Sequence, residues 1–278
     1  MCLYRTLSLL PLAVFTILLT SLVHADFQAG MDAYDRKDYE TALKEWQPLA
    51  EQGNAEAQFR MGRLYDYVQQ YQDLQETIRW YRLAAEQGLP AAQNSLGLRY
   101  SIGRGVPHDY KEAVRWWRLA AEQEFAEAQY WLGVSYERKR GVPEDYKEAL
   151  RWYRLAANKG SVAAQHRLGL AYANGELGVP KDYCEAFLWY RLAVEQHDDR
   201  NIQRTEIVLA LYSLGEFYAN GYGVPQDYVL AHMWLNLAAA QNYEKAIRSR
   251  EVIAAHMTPE QIAKAQRVAR EWLAIHRN

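Results

Sequence analysis

Apolar residues recur along the chain at the spacing typical of α-helices. In residues 125–160, Ala128, Leu132 and Tyr136 follow one another at every fourth position. After a turn, Trp152 lies three and four residues from the alanines on either side of it in a second apolar stripe. Residues at these intervals lie on one side of a helix, whereas the side chains of a strand alternate every second residue. The pattern predicts two amphipathic helices joined by a turn.

The same two-helix pattern returns at a period of 35–37 residues. The predicted organisation is a first segment 1–25, a short degenerate unit 26–53, repeats 54–88, 89–124, 125–160, 161–207 (with an insertion at 198–206) and 208–243, and a C-terminal helical cap 244–278. A period of this length is typical of helix-pair solenoids, in which each unit buries its apolar side only against its neighbours. The predicted fold class is all-α.

Each repeat carries the same signal for the start of its second helix. A turn such as "GRGVPHD" combines glycines with a proline that cannot continue a helix. An aspartate follows as the predicted N-cap, with a glutamate three residues on in four of the five copies, an aspartate version of the capping box. The predicted caps are Asp73, Asp109, Asp145, Asp182 and Asp227. A glycine also recurs inside the first helix, where it is costly, which indicates a close approach by another helix backbone.

The first 25 residues have the layout of a secretory signal peptide. A short start with Arg5 precedes an apolar core, and the sequence "VHA" places small or short residues before a cut after Ala25. An uncleaved anchor is the alternative, although Pro11 interrupts an apolar run that is already short for a membrane span. No cysteine follows the cut, so a lipoprotein anchor is not supported. The predicted location is the periplasm or the outside of the cell.

The net charge argues against nucleic acid as a partner, and the cysteine content argues against an internal disulfide. The formal net charge is −2, which becomes −3 when Arg5 leaves with the signal, so no basic field favours nucleic acid as a partner. Cys2 leaves as well, and Cys184 alone remains, so an internal disulfide is excluded. An exposed Cys184 is predicted either to link two chains or to be a tolerated substitution. After cleavage no stable membrane insertion is expected.

At this point the residues resemble a known family. The stretch "AEAQYWLGVSYERKRGVPEDYKEALRWYRLAANKG" is similar to the Sel1-like repeat, a relative of the tetratricopeptide repeat, in its Ala-Gln start, Leu-Gly, Gly-Val-Pro, Asp-Tyr and Trp-aromatic elements. The resemblance implies a right-handed superhelical solenoid of antiparallel helix pairs. It also implies an exported bacterial adaptor without catalytic activity that binds a protein or peptide on a concave side. Lys139 in place of the first turn glycine, and an extra residue in "NGELGVP", depart from the pattern.

No arrangement of residues typical of catalysis or metal binding emerges. The seven histidines are scattered, and no nucleophile, phosphate loop or metal cluster is evident. We therefore predict no enzyme activity, no cofactor and no metal. The alternatives are an envelope glycan or peptidoglycan binder, a secreted host-interaction factor and, with least support, an enzyme acting on cell-wall or lactam substrates.

Arginines at equivalent repeat positions are the candidate binding residues. The predicted partner-binding set comprises Arg82, Arg118, Arg154 and Arg191, with Tyr81, Trp117, Tyr153 and Tyr190 packed beside them. A second set stands three residues earlier in the first three of these helices. Guanidinium groups bind carboxylates through two parallel hydrogen bonds, which predicts recognition of an acidic partner. The alternative is pairing within the helix, for example of Arg82 with Glu86 and of Arg118 with Glu122.

Overall fold

The computed structural model describes residues 27–195 and 205–276, which form helices and turns and contain no strand. The helices are α1 (27–35), α2 (Tyr39–Glu51), α3 (Ala55–Tyr67), α4 (Leu74–Glu86), α5 (Pro90–Ile102), α6 (Tyr110–Glu122), α7 (Ala126–Glu137), α8 (Tyr146–Asn158), α9 (Val162–Asn174), α10 (Tyr183–Glu195), α11 (Thr205–Asn220), α12 (Tyr228–Ala239), α13 (Glu244–Ala254) and α14 (Pro259–Ile275), with a short 3₁₀ turn at Gln69–Tyr71. The predicted all-α fold class is confirmed.

Consecutive helices pack as antiparallel pairs. The first helix of a repeat packs on the second in α3 with α4, α7 with α8, α9 with α10 and α11 with α12. The chain divides into two compact units between Trp116 and Trp117. The predicted signal segment 1–25 and most of the insertion 198–206 lie outside the described residues, although Thr205 and Glu206 open α11.

The recurring glycine of each first helix makes room for a side chain. A Cβ atom at Gly133 would lie 2.6 Å from both Cδ1 and Cε1 of Tyr153, which projects from the second helix of the same repeat. The same relation holds between Gly169 and Tyr190, at 2.5 Å. At these two positions the space that glycine leaves is filled by the ring of a buried tyrosine and not by helix backbone. At Gly215, by contrast, the carbonyl oxygen of Ala231 in the second helix lies 3.3 Å from the Cβ position, behind the side chain of Leu235 at 2.6 Å.

The five cap aspartates each accept hydrogen bonds from backbone N–H groups in the first turn of the second helix. Their own N–H groups do not take part in a capping box. The N–H of Asp145 donates to the carbonyl of Tyr136 at 3.1 Å, and the other four donate to the equivalent tyrosine. The glutamates at Glu76, Glu112 and Glu148 bind arginine instead. The caps thus join the two helices of a repeat.

Buried glutamines connect successive repeats. Gln129 donates from Nε2 to the carbonyl of Ala121 at 3.3 Å, and Gln165 donates to Ala157 at 3.1 Å. Each bond runs from the start of a first helix to the end of the preceding second helix, where carbonyls lack a helical partner. The Ala-Gln motif therefore satisfies the end of the preceding helix.

Two turn positions keep a positive φ although another residue replaces the glycine found in other repeats. Lys139 replaces the first turn glycine and has φ 54°, close to the φ of 69° at Gly103. Glu124, two residues after the end of α6, has φ 61° at the position that Gly160 occupies in the next repeat. A side chain in this region costs about 1 kcal/mol or more relative to glycine. The turn geometry is therefore imposed by the packing of the repeat.

The C-terminal cap is a pair of helices rather than a single one. Both α13 and α14 pack on α12. Thr258 accepts from the N–H of Gln261, whose side chain accepts from the N–H of Thr258, so that α14 begins with a complete capping box. Trp272 contacts Trp234 edge to face at 5.5 Å. No helix among the described residues is long and apolar enough to cross a membrane.

Candidate interaction surface

The first column of arginines extends from the second helix of one repeat to a tyrosine on the next. Arg118 donates to the hydroxyl of Tyr136 at 3.3 Å, and Arg154 donates to that of Tyr172 at 2.6 Å. In the first unit, Arg82 makes the same contact at 3.2 Å. All three arginines are exposed, and none of them forms an ion pair within the described residues. The tyrosine hydroxyl holds each guanidinium group in position but does not compensate its positive charge.

The second column consists of the arginines three residues earlier, and the charge of each is compensated by a glutamate of the same helix. Arg115 binds Glu112 at 3.0 Å, and its guanidinium carbon lies 4.4 Å from the ring centre of Trp116. Arg151 repeats both contacts, at 3.0 Å from Glu148 and 4.7 Å from Trp152. Arg79 does the same in its repeat. These arginines stabilise their own helices, and their charge is compensated.

The structure places the aromatic half of the predicted site in the core. Tyr81, Trp117, Tyr153 and Tyr190 are only 1%, 2%, 0% and 1% exposed. The three tyrosines project toward the first helix of their own repeat, where glycine leaves space for them, and Trp117 stacks on Trp131 of the following helix at 5.6 Å. None of the four rings is therefore accessible to a partner. This part of the predicted binding set is wrong. The residues that follow the arginines are more accessible, since Leu119 and Leu155 are each 38% exposed.

Within the described residues, one member of the first column, Arg191, forms an ion pair inside its own helix. The predicted pairs of Arg82 with Glu86 and of Arg118 with Glu122 do not form in the described residues, because these arginines reach a tyrosine on the following helix instead. Arg191 does pair within its helix, with Glu195 at 3.3 Å. In the second unit, Arg118 and Arg154 are therefore the members of the first column that are exposed and have no ion-pair partner among the described residues.

An acid–tyrosine–arginine cluster was missed by sequence reasoning. Glu137 accepts from the hydroxyl of Tyr153 at 2.5 Å and from Arg167 at 2.8 Å, and Arg167 also binds Glu176 at 2.8 Å. Asp66 forms the corresponding cluster with Tyr81 and Arg99 in the first unit. Both acids stand four residues after the recurring glycine, where other repeats have serine or alanine. An acid at two of these five positions was the available signal.

The cluster shifts the pKa of its members. Burial on its own raises the pKa of the Glu137 carboxyl, but hydrogen bonds from Arg167 and Tyr153 and the charge of Arg167 outweigh this effect, so its pKa lies below the ordinary value. Burial, followed by the hydrogen bond to Glu137, raises the pKa of Tyr153 well above its usual range. The carboxylate is therefore charged and the phenol neutral at physiological pH, which suits a structural role.

His166 makes stability depend on pH. Burial, with a smaller effect of the Arg167 charge, lowers the pKa of His166 to about 4 from 6.5. Because the folded state binds this proton less readily, its stabilising contribution is present above pH 6.5 and is lost as the pH falls toward 4. The equivalent residue of an earlier repeat is Phe59. Between pH 7 and pH 4, we expect the free energy of unfolding of His166→Phe to fall by about 3 kcal/mol less than that of wild type. Urea unfolding at pH 7 and pH 4 measures it, and an equal loss in both proteins would contradict it.

Cys184 is exposed, and its Sγ lies 3.7 Å from the carbonyl oxygen of Gly223. Within the described residues, no group of three or more His, Cys, Asp or Glu side chains could hold a metal ion. The exposed side chains described above are the arginines of the first column and the leucines that follow them.

The repeats match those of a known family. The Sel1 repeat matches residues 55–89, 90–125, 126–161, 162–198 and 208–243. A solved Sel1 repeat protein from Oxalobacter formigenes is similar, with a TM-score of 0.68, 32% identity, and coverage of 76% of this chain and 59% of that one. A protective antigen of uropathogenic Escherichia coli strains, which displays an SLR fold, has a TM-score of 0.55, 33% identity, and coverage of 83% and 56%. No curated protein matches.

The chain therefore belongs to the Sel1 repeat family. Proteins of this family generally mediate protein–protein interactions and are generally non-catalytic scaffolds. The chain spans 59% and 56% of the length of the two solved relatives.

Proposed function

We propose that this protein is a non-catalytic scaffold of the bacterial cell envelope that binds an acidic segment of a partner protein through Arg118 and Arg154. The observation that carries the proposal is the contrast between two arginine columns on the same helices. Arg115 and Arg151 are already paired with glutamates, whereas Arg118 and Arg154 are exposed, hydrogen-bond to tyrosine hydroxyls and form no ion pair within the part of the chain that the structure describes. Uncompensated charge at equivalent positions of two repeats attracts carboxylates.

The tyrosine hydroxyls help to prepare these arginines for binding. A guanidinium group has five N–H donors. The contact with Tyr136 or Tyr172 uses a donor on Nη2 and restrains the long side chain, which lowers the entropy lost on binding. The remaining donors can bind a carboxylate through two parallel hydrogen bonds. Leu119 and Leu155 add partly exposed apolar surface beside the charge.

Export of the chain is part of the proposal. It is supported by the signal-like sequence of residues 1–25, and one solved relative is described as a protective antigen in a pathogen. N-terminal sequencing of the protein recovered from the periplasm or medium should begin at Asp26. An intact N-terminus on the cell-associated protein would contradict cleavage. In the same preparation, a non-reducing gel would reveal a dimer linked through Cys184.

The experiment that tests the binding surface is a cross-linked pull-down from envelope extract. Wild type is compared with Arg118→Gln/Arg154→Gln, which removes two charges but leaves hydrogen-bonding side chains. The matched control is Arg115→Gln/Arg151→Gln, which removes two charges from the same two helices. We expect recovery of the partner to fall about tenfold or more in the first variant and to change little in the control, because Arg115 and Arg151 are already neutralised.

The salt dependence of binding and the recovery of glycan distinguish the proposed arginine site from its alternatives. Binding by exposed guanidinium groups should weaken as salt is raised from about 0.05 to 0.5 M, because screening shortens the range of the charges. A partner that is lost equally from both double variants would place the site elsewhere. Recovery of glycan without protein would favour the alternative envelope glycan binder.

A further inference from the structure

The C-terminal helix α14 covers an apolar stripe on α12. The stripe consists of Val229, Met233 and Leu237 at every fourth position, and Met233 and Leu237 are only 2% and 3% exposed. Residues at this spacing lie on one side of a helix. α14 packs on α12, and its Trp272 contacts Trp234 edge to face. The second helix of the last repeat is therefore apolar on nearly every side, because a further helix of the same chain packs on it.

The equivalent stripe on α10 is also apolar, but it is exposed. Cys184, Leu188 and Leu192 occupy the three equivalent positions. Cys184 is exposed, Leu188 is 45% exposed and Leu192 is partly exposed. Trp189, in the place of Trp234, is partly exposed as well. Since α10 packs on α9 and α11, the stripe is left to solvent.

The second helices of the three preceding repeats carry charge at the middle position of this stripe. Each has an arginine bound to a glutamate three residues earlier, namely Arg79, Arg115 and Arg151. Leu188 replaces this arginine in α10, and Glu185 accepts instead from Nε1 of Trp189 at 3.1 Å. Among the second helices of the five Sel1 repeats, the fully apolar stripe is therefore confined to α10 and α12.

The charge that borders the stripe on α10 is compensated. Arg191 binds Glu195 at 3.3 Å within the same helix. An acidic partner therefore gains little from this arginine, in contrast to Arg118 and Arg154. The free energy of binding to this side of α10 would come mainly from apolar surface removed from water.

The side of α14 that packs on α12 indicates which kind of helix fits such a stripe. Its buried residues are Ala265 and Ala269, one turn apart, and Trp272 follows three residues later. Small residues at a contact allow two helix axes to come close together. The other side of α14 is polar, with Lys264 and Arg267 exposed. The helix that covers the stripe on α12 is therefore amphipathic, with small residues and one large aromatic residue on its apolar side.

We propose that the exposed stripe of α10 (Cys184, Leu188 and Leu192) binds an amphipathic helix of a partner protein, packed on α10 as α14 packs on α12. Its aromatic residue would contact Trp189, as Trp272 contacts Trp234. The bound helix would continue, one repeat earlier, the outer layer that α14 begins.

A second folded copy of this chain is not the expected occupant, because its own α14 is already buried on α12. The stripe lies on a different helix from Arg118 and Arg154, and neither proposal depends on the other.

The probe is a synthetic peptide of residues 258–276, "TPEQIAKAQRVAREWLAIH", which is α14 with its N-cap. It carries a fluorophore at its C-terminus, and its anisotropy is followed as the purified full chain is added. We expect saturable binding. At saturation, alkylation of Cys184 should be at least about fivefold slower, because the bound helix covers the thiol. In the peptide, Ala269→Glu should weaken binding at least about tenfold, because it places a charge on the side that is buried.

Two protein variants decide where the peptide binds. Leu188→Arg introduces the residue that α6 and α8 carry at this position, so the fold should be retained, and binding should weaken at least about tenfold. Val252→Arg is the matched control, since Val252 is an aliphatic residue of α13 that is 64% exposed. We expect this variant to bind the peptide as wild type does.

Three results would overturn the proposal: no saturable binding at millimolar peptide, equal binding to wild type and Leu188→Arg, or unchanged alkylation of Cys184. Self-association of wild type that Leu188→Arg abolishes would also overturn it, because a second copy would then cover the stripe. Arg118→Gln/Arg154→Gln should bind the peptide normally, so failure of one site is distinguishable from failure of the other.

Discussion

Gly133→Ala is expected to lower the free energy of unfolding by about 2 kcal/mol. In a helix interior, alanine by itself is favoured over glycine by about 1 kcal/mol. Here the added methyl group would lie 2.6 Å from two ring atoms of Tyr153, which is fully buried and held by its hydrogen bond to Glu137. Overpacking of a rigid core site costs about 3 kcal/mol at the upper end of its usual range, which exceeds the gain. Urea unfolding followed by circular dichroism measures the difference.

A double-mutant cycle identifies the cause of this loss. In a Tyr153→Ala background the ring is absent, and Gly133→Ala should then be neutral or stabilising because only the helix propensity remains. A loss of the same size in both backgrounds would show that Tyr153 is not what requires glycine at position 133. The same pairing of glycine with a buried tyrosine at Gly169 and Tyr190 predicts the same cycle in the next repeat.

Arg167→Met is expected to lower the free energy of unfolding by about 3 kcal/mol. The substitution keeps most of the apolar stem but removes the partner of Glu137 and Glu176, and Glu137 is only 15% exposed. Removal of one partner from a buried ion pair typically costs about 3–5 kcal/mol, and residual exposure places this pair at the lower end. Arg138→Met is the matched control, because Arg138 is exposed, and it should change stability by less than about 0.5 kcal/mol.

The loss at Arg167 should depend on pH in a defined direction. The pKa of Glu137 is depressed in the folded protein, so its stabilising contribution is present above its unfolded pKa of about 4.5 and is lost as the pH falls through the folded value. The gap between wild type and Arg167→Met should therefore narrow below about pH 4.5. Glu137→Gln in the Arg167→Met background should recover part of the stability at pH 7. A gap that stays constant with pH would contradict an ionic origin.

The sequence by itself determined the features that depend on residues close together in the chain. Helix pairs follow from apolar spacings of three and four, and the aspartate caps bind N–H groups two and three residues away. The repeat period located the turns, and a left-handed glycine such as Gly103 is a property of the local backbone. These interactions lie within one turn of a helix, so the order of residues is enough to predict them.

Only the tertiary structure decided which groups meet across repeats. Arg118 bonds to a tyrosine 18 residues away, Gln129 to a carbonyl eight residues away, and Arg167 to an acid 30 residues away. Sequence reasoning placed Tyr153 beside the arginines because the two are adjacent in the chain. Adjacent residues in a helix point about 100° apart, so Tyr153 is buried against Gly133 while Arg154 faces solvent. Which of these directions faces core or solvent depends on how neighbouring helices pack, and that is a property of the assembled repeats.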